Sequence, residues 1–305
     1  GWVPTIDEAV TDVPVKGNQE GIFGFGYSSD YTAVTNLVSN AGVVATDTTG
    51  VGTGRLSLAA CEYGGDKGIF GFGDTSGGAV GMTNLVSNAG VVASDVTAVG
   101  SARKELAACS YGDDKGIFGF GKDTSGGAAL VSYTNLVSNA GVVATDVTGV
   151  GTDRKRVMAC EYGGDKGIFG FGNDGSVCNI TNLVSNAGVV ASDQAAATGT
   201  AREQGGACGY GEDKGIFGFG YAGGAVGMTN LVSNAGVVAT DVSAVGTARQ
   251  QNKACEYGGD KGIFGFGNDG SVCDITNLVS NAGVVASDVT GVGSARSRLG
   301  ACSFN

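Results

Sequence analysis

The sequence predicts an all-β fold made of short antiparallel strands, and three observations predict it. Glycine supplies 58 of the 305 residues and proline only 2, a balance typical of many short strands joined by tight turns. No segment has a 3.6-residue apolar period long enough for a helix. Two long strings recur six times, so the fold is expected to repeat one small unit.

The repeat unit is about fifty residues long and contains three strings. Gly-Ile-Phe-Gly-Phe-Gly comes first, followed by Thr-Asn-Leu-Val-Ser-Asn-Ala-Gly-Val-Val-Ala, and then an Arg that leads into Cys-x-Tyr-Gly. In the last copy Phe304 replaces the Tyr. The first string begins at Gly21, Gly68, Gly116, Gly167, Gly215 and Gly262, and the second at Thr35, Thr83, Thr134, Thr181, Thr229 and Thr276.

Each unit is expected to form four strands, named a to d. Glycine-rich segments join strand a to b and strand c to d, as in tight hairpins. In the second unit the expected strands are Arg55 to Tyr63 (a), Lys67 to Gly73 (b), Thr83 to Ser87 (c) and Val91 to Asp95 (d).

Strand b carries most of the aromatic residues. Side chains alternate between the two faces of a strand. We therefore expect Phe70 and Phe72 on one face of strand b and Ile69, Gly71 and Gly73 on the other. A bulky face of one sheet could then pack against a glycine-lined face of the next.

Four-stranded sheets of this length, packed face to face around an axis, define a β-propeller. The first unit begins at strand b, and the chain ends with a lone strand a, Arg296 to Asn305. We expect these two segments to share a sheet and close a six-bladed ring, which removes exposed sheet edges. Residues 1–19 are expected to be a leader and residues 20–305 a single propeller domain, with 296–305 completing the first blade.

The unit from Arg103 to Gly121 resembles the Kelch repeat, which pairs an Arg-led strand with an apolar strand ending in Gly-Gly. The ending here is Gly-Phe-Gly, and the Trp near the Kelch blade end is missing. Chromosome-condensation-regulator propellers are a weaker match. The resemblance implies a protein-binding role. The copper site of the galactose-oxidase branch needs His, and sialidase boxes need Trp, whereas this chain has no His and only Trp2.

Composition excludes several other functions. The formal charge is −11, so clustered Lys and Arg for binding nucleic acid are not expected. No run of 18 apolar residues exists, so no membrane span is expected, and the first residues do not resemble a signal peptide. The absence of His excludes His-based catalysis and His-containing metal sites. We expect a monomer that is not an enzyme and has no cofactor or metal.

The two ends of the repeat differ in their variability. In an antiparallel a-b-c-d sheet, the a–b and c–d turns lie at one end, here named the turn end, and the b–c and d–a connections at the other, the loop end. Differences between repeats crowd onto the loop end, in the b–c loops and just after each repeated Arg. Variable loops on a rigid scaffold commonly bind ligands. The candidate contact residues are Tyr27, Tyr31, Lys104, Tyr133, Lys155, Arg156, Gln204, Tyr221, Gln250 and Arg298.

The leading hypothesis is a non-catalytic scaffold that binds a protein or a glycan through the loop end. The same variation is also compatible with drift at exposed positions after recent duplication. The alternative function is therefore a purely structural or assembly module, such as a virion or appendage component, with no small ligand. An enzyme that uses loop-end carboxylates is a third class.

Each unit also repeats one Cys, one Arg and one Asp. The cysteines are expected to be small buried residues rather than disulfide or metal ligands, which favours a reducing compartment (the cytoplasm) or a virion. The Arg and Asp are expected to form ion pairs. Asn173 and Asn268 start expected hairpin turns. The six cysteines are Cys61, Cys109, Cys160, Cys208, Cys255 and Cys302, with Cys178 and Cys273 outside this set; the six carboxylates are Asp47, Asp95, Asp146, Asp193, Asp241 and Asp288.

Overall fold

The computed structural model describes residues 17–97, 100–125, 129–194, 199–243 and 245–305. These residues form an all-β structure without helices, and most of the expected leader lies outside them. The first strands are β1 (Glu20–Gly24), β2 (Thr35–Val38), β3 (Ala59–Tyr63), β4 (Lys67–Gly71), β5 (Asp74–Thr75), β6 (Gly78–Ala79), β7 (Thr83–Val86), β8 (Arg103–Lys104), β9 (Ala107–Tyr111), β10 (Lys115–Gly119), β11 (Lys122–Asp123) and β12 (Thr134–Val137). The others are β13 (Met158–Tyr162), β14 (Lys166–Asn173), β15 (Val177–Val184), β16 (Gly206–Tyr210), β17 (Lys214–Tyr221), β18 (Ala225–Val232), β19 (Lys253–Tyr257), β20 (Lys261–Asn268), β21 (Val272–Val279) and β22 (Gly300–Phe304).

The main strands form antiparallel three-stranded sheets in the order a-b-c. Sheet 1 joins the two ends of the chain, because the C-terminal β22 pairs with β1 and places Cys302 opposite Ile22. The remaining strands β5 and β6, and β8 and β11, form short pairs beside the main sheets. The sheets are β22-β1-β2 (sheet 1), β3-β4-β7 (sheet 2), β9-β10-β12 (sheet 3), β13-β14-β15 (sheet 4), β16-β17-β18 (sheet 5) and β19-β20-β21 (sheet 6).

The a–b turns have the backbone that the sequence predicts. Gly64 and Gly65 both have positive φ, 67° and 77°, as a two-residue hairpin of this type requires. In sheet 1 the last residue and Asn18 take the place of this turn, since Asn305 and Asn18 also have positive φ, 72° and 51°. The Gln19 N–H donates to the Asn305 carbonyl at 3.0 Å.

Hydrogen bonds connect the a–b turns of successive sheets. One backbone N–H in each turn donates to a carbonyl in the turn of the next sheet, at 2.7–3.0 Å, and the sixth bond leads back to sheet 2. The six bonds therefore form a cycle. They run from Gly64 to Asp114, Gly112 to Asp165, Gly163 to Asp213, Gly211 to Asp260, Gly258 to Gln19, and Asn305 to Asp66.

The expected strand d is not a regular strand. In sheet 2 it meets strand c only at two isolated bridges, Val86 with Val92 and Thr83 with Val96. Between these bridges the side chain of Asn84 donates to the Ala93 carbonyl at 2.9 Å, in place of a backbone N–H. The Asn side chain thus holds the two segments apart and prevents a continuous ladder.

The expected alternation along strand b is wrong at Phe72. This residue has a φ of 62°, and in sheets 4 to 6 the register shifts at the equivalent position, which marks a β-bulge. The bulge turns Phe72 to the opposite face from Phe70, so Phe72 packs with Ile69 and with Phe118 of sheet 3. The rings of Phe72 and Phe118 meet edge to face at 5.2 Å.

The sheets pack together through the small residues of strand b. A Cβ added to Gly71 would lie 2.6 Å from the ring of Phe118 in the next sheet, so glycine does face an aromatic ring as expected. Gly116 packs in the same way against the sulfur of Cys61. The a strands contact one another in the order of the sheets, and β22 contacts both β19 and β3.

The six repeated cysteines are buried free thiols at these contacts. Burial raises the pKa of the Cys61 and Cys160 thiols well above the usual value. They therefore act as small apolar groups. Cys178 and Cys273 lie on strands β15 and β21, next to the hairpin turns that begin at Asn173 and Asn268, and are also free thiols.

The repeated Arg makes contacts with several parts of each unit. Arg55 is fully buried; its Nε donates to the Phe72 carbonyl at 2.9 Å and its Nη2 to the Asn84 side chain at 2.6 Å. Its guanidinium stacks on Phe25 of the preceding sheet, 4.2 Å from the ring centroid. The predicted Arg–Asp pairs are confirmed in five sheets at 3.5–3.9 Å: Arg55–Asp95, Arg103–Asp146, Arg154–Asp193, Arg202–Asp241 and Arg296–Asp47.

Candidate functional site

The two ends of the sheets are arranged as predicted. At the turn end, Asn88 in the c–d turn donates to Asp66 in the a–b turn at 3.2 Å. At the loop end, Leu56, just after the repeated Arg, pairs with Asp74, just after strand b. The variable residues therefore gather at one end of the molecule.

Six variable residues, one before each a strand, form a hydrogen-bonded ring at the loop end. All six have positive φ, 55–61°, although none is a glycine. Each backbone N–H donates to the carbonyl of the residue in the preceding sheet at 2.6–3.2 Å, and the last bond returns to the first residue. We name this set the loop-end ring: Ser57, Glu105, Arg156, Gln204, Gln251 and Arg298.

The loop-end ring surrounds a cavity of about 50 Å³. All six ring residues line it, together with Leu58, Leu106, Val157, Asn252 and Lys253. A second cavity is lined by residues of all six a strands, mostly alanines such as Ala60 and Ala301, and Lys253 lines both cavities. The first cavity has room for about three or four water molecules.

Of the ten candidate contact residues, the structure brings three to this cavity: Arg156, Gln204 and Arg298. The other seven do not line it. The outer group comprises Lys104, which pairs with Asp74 at 2.8 Å; Lys155, 3.8 Å from Glu105; Tyr133, bonded to Asp123; Tyr27 and Tyr31, whose rings meet edge to face; Tyr221, paired with Glu203; and Gln250, paired with Asn268.

The charges in the cavity are unevenly paired. Arg156 binds Glu105 at 2.9 Å and Glu203 at 2.7 Å, so its charge is compensated. Gln251 donates to the Gln204 side chain at 2.8 Å. Within the described ranges, the side chains of Arg298 and Lys253 have no hydrogen-bond or ion-pair partner. The cavity therefore holds two cations that no carboxylate of the described chain neutralises.

Lys253 and Asn252 break the pattern of the repeat. At these two positions the other units have Leu58-Ala59, Leu106-Ala107, Val157-Met158, Gly205-Gly206 and Leu299-Gly300. Burial lowers the pKa of Lys253 to about 8. The side chain of Asn252 is fully buried, and neither its oxygen nor its nitrogen has a hydrogen-bond partner in the part of the protein described.

Sequence reasoning missed five polar cavity residues: Ser57, Glu105, Gln251, Asn252 and Lys253. The signal for the last two was available, because they are the only polar pair where every other repeat has apolar or glycine residues. Three variable residues follow each repeated Arg, and choosing the second of the three in every repeat would have found Ser57, Glu105 and Gln251. That choice depends on the left-handed backbone of the ring, which the sequence does not reveal.

Comparison with protein-family models finds none that matches this chain, and a search of curated proteins finds no relative. Among the residues described, no group of three or more His, Cys, Asp or Glu is placed to hold a metal ion. The same residues contain no helix long and apolar enough to cross a membrane.

Proposed function

We propose that the six sheets are the blades of a closed six-bladed β-propeller of Kelch-like type. Two cyclic sets of hydrogen bonds support this proposal, one through the a–b turns and one through the loop-end ring. The cavity lined by all six a strands fits a central channel. The pairing of β22 with β1 corresponds to a blade completed by both ends of the chain.

We infer that this propeller is a non-catalytic binding scaffold whose loop end binds a protein or a glycan. The observation that supports this function best is the cavity inside the loop-end ring. Its six ring residues occupy equivalent backbone positions, yet they include a hydroxyl, a carboxylate, two guanidinium groups and two amides. A concave site with a few convergent polar groups on a rigid frame is what a binding site requires.

The test is a screen of the purified chain on protein and glycan arrays. We expect specific binding that weakens at least tenfold in the double variant Gln204→Ser with Gln251→Ser, which gives both positions the residue found at Ser57. The variant Val142→Thr, on the turn end, is the matched control and should bind like the wild type. Binding that is lost only in the turn-end variant would overturn the assignment.

A second candidate, an assembly module, is supported by the turn end itself. Each c–d turn exposes one valine with 63–65% of its surface accessible, which gives one apolar contact point in every repeat. A symmetric partner could use all six. Two results would favour this function. The chain would bind nothing on either array, and it would self-associate in a way that Val142→Thr and Val237→Thr weaken. The six valines are Val43, Val91, Val142, Val189, Val237 and Val284.

A further inference from the structure

We propose that the cavity inside the loop-end ring binds a carboxylate group of a protein partner, through Lys253, Asn252 and Arg298. This inference rests on the proposed binding function and names the chemical group that the site recognises. Three independent features of the cavity support it: its unpaired cations, its unsatisfied amide and its size.

The first feature is a pair of cations without partners. The chain carries a net charge of −11, yet one small cavity contains Arg298 and Lys253, neither of which has a partner among the described residues. The other charged groups of the cavity, Arg156 and Glu105, bind each other at 2.9 Å. An anion that enters would therefore meet two cations without displacing an existing ion pair, and the partial burial of Lys253 would strengthen the attraction to that residue.

The unsatisfied amide is the second feature. Asn252 occupies a position that is Leu58, Leu106 or Leu299 in other repeats, where an apolar side chain completes the core. Buried amides almost always have hydrogen-bond partners, so an Asn with neither atom satisfied leaves this wall of the cavity incomplete. Its NH₂ group is a donor that suits a carboxylate oxygen. Asn252 and Lys253 both line the cavity.

The size of the cavity selects the source of the carboxylate. A volume of about 50 Å³ accommodates the end of an aspartate or glutamate side chain, or a C-terminal carboxylate. A sugar would have to bring its rigid ring against the loop-end ring before its carboxylate could enter. The loop-end residues are tied to one another by six backbone hydrogen bonds, which oppose any adjustment to such a ring. A protein carboxylate lies at the tip of a flexible side chain or chain end and needs no such adjustment.

Acetate is the probe for the first experiment, with the full chain labelled with ¹³C at lysine. The Cε resonance of Lys253 is identified by its loss in Lys253→Met, which carries the residue found at Met158. Its pKa is then measured in sodium acetate and in sodium chloride at equal concentration. A bound carboxylate favours the ammonium form, so we expect acetate to raise this pKa by about one unit relative to chloride. Equal values in the two salts would overturn the proposal.

Two variants test the partners of Lys253 without altering it. Asn252→Leu restores the residue of Leu58, and Arg298→Ser restores that of Ser57, so both changes have precedents in the repeat. We expect each to reduce the acetate-induced shift by at least half. A full shift in both variants would mean that acetate interacts with Lys253 outside the site described, and the proposal would be wrong.

A third comparison separates the possible sources. A short peptide with a single glutamate is titrated against glucuronate, with the same Lys253 signal as the readout. We expect the peptide to act at a concentration at least tenfold lower; the reverse order would assign the site to acidic sugars. The proposed function is tested separately. If Asn252→Leu and Arg298→Ser still bind on the arrays, the loop end remains a binding surface. The carboxylate would then have no part in that binding.

Discussion

At the scale of single residues, one buried guanidinium organises each repeat. Arg55 satisfies the carbonyl of a bulged Phe, the amide of Asn84 and the charge of Asp95 at once. Burial opposes ionisation of Asp95, but hydrogen bonds from Thr53 and Asn84 outweigh it and lower the pKa of the carboxyl. Burial lowers the pKa of Arg55 to about 10, which still leaves it charged at neutral pH. The pair therefore stays ionised when folded.

Lys253 differs from Arg55, because its half-buried ammonium group has no partner among the described residues. We predict that Lys253→Met increases the free energy of unfolding by roughly 3 kcal/mol at pH 7, since the folded pKa is about 8 and the ordinary value is 10.5. Between these two values the unfolded chain binds more protons than the folded one, so the wild type gains stability as the pH rises. The difference in free energy of unfolding between Lys253→Met and the wild type should be largest below pH 8 and should disappear above about pH 10.5.

The measurement is urea denaturation of both proteins at a series of pH values. Taking the difference between them removes the contributions of the tyrosines and the other lysines, which titrate in the same range. Lys253→Ala, which copies Ala59, serves as a second variant in case Met packs poorly. A difference that is constant from pH 7 to 11 would contradict the burial of the charge.

At the scale of strands and turns, the sequence predicts what depends on neighbouring residues and misses what depends on distant hydrogen bonds. The a–b turn could be predicted because Gly64 and Gly65 supply the positive φ locally. The bulge at Phe72 could not, because its carbonyl is directed at Arg55, 17 residues earlier in the chain. Strand d was overestimated for the same reason, since its separation from strand c depends on the buried side chain of Asn84.

The sequence likewise predicts one part of the candidate site and misses another. The loop end could be predicted because variation marks it directly in the sequence. The contents of the cavity could not be predicted fully, since positive φ at Ser57 and its counterparts decides which of three variable residues faces inward. Tyr27 and Tyr133 were chosen for their chemistry, and they lie outside the cavity because the b–c segments continue as hairpins or short bridges beside it.

The contact between strand b and the next sheet makes a sharp prediction. Gly71→Ala should lower the free energy of unfolding by about 1–3 kcal/mol, because the new methyl group would lie 2.6 Å from the ring of fully buried Phe118. Gly77→Ala is the matched control, since its nearest neighbour lies 3.7 Å away and its φ is not in the left-handed region. Thermal and urea unfolding would measure both, and equal stabilities would refute the tight packing.

At the scale of the whole molecule, stability depends on contacts that run through all six sheets. The hydrogen bonds between turns and the loop-end ring each involve every sheet, including the one made from both ends of the chain. Loss of one sheet would therefore leave two neighbours without partners. We expect the six repeats to unfold cooperatively rather than one at a time.

Deletion of residues 296–305 should cause a large loss of stability or aggregation. It removes β22, and with it the buried Arg296 and the strand that pairs with β1, so β1 becomes an exposed edge. Calorimetry and light scattering would measure the effect. Adding a synthetic peptide of residues 294–305 should restore part of the lost thermal stability. A truncated protein that melts like the full chain would contradict this role.

The turn made by Asn305 and Asn18 has a consequence for connectivity. Asn305 and Asn18 adopt the backbone of Gly64 and Gly65, and Gln19 closes onto Asn305 at 3.0 Å, as Asp114 closes onto Gly112 at 2.8 Å. A peptide bond from Asn305 to Asn18 would thus need no new geometry. A circular permutant that omits residues 1–17, is joined there and is reopened between Gly163 and Gly164 should keep the far-ultraviolet circular dichroism of the parent and nearly its melting temperature. Each of the six hairpins could then serve as the start of the polypeptide.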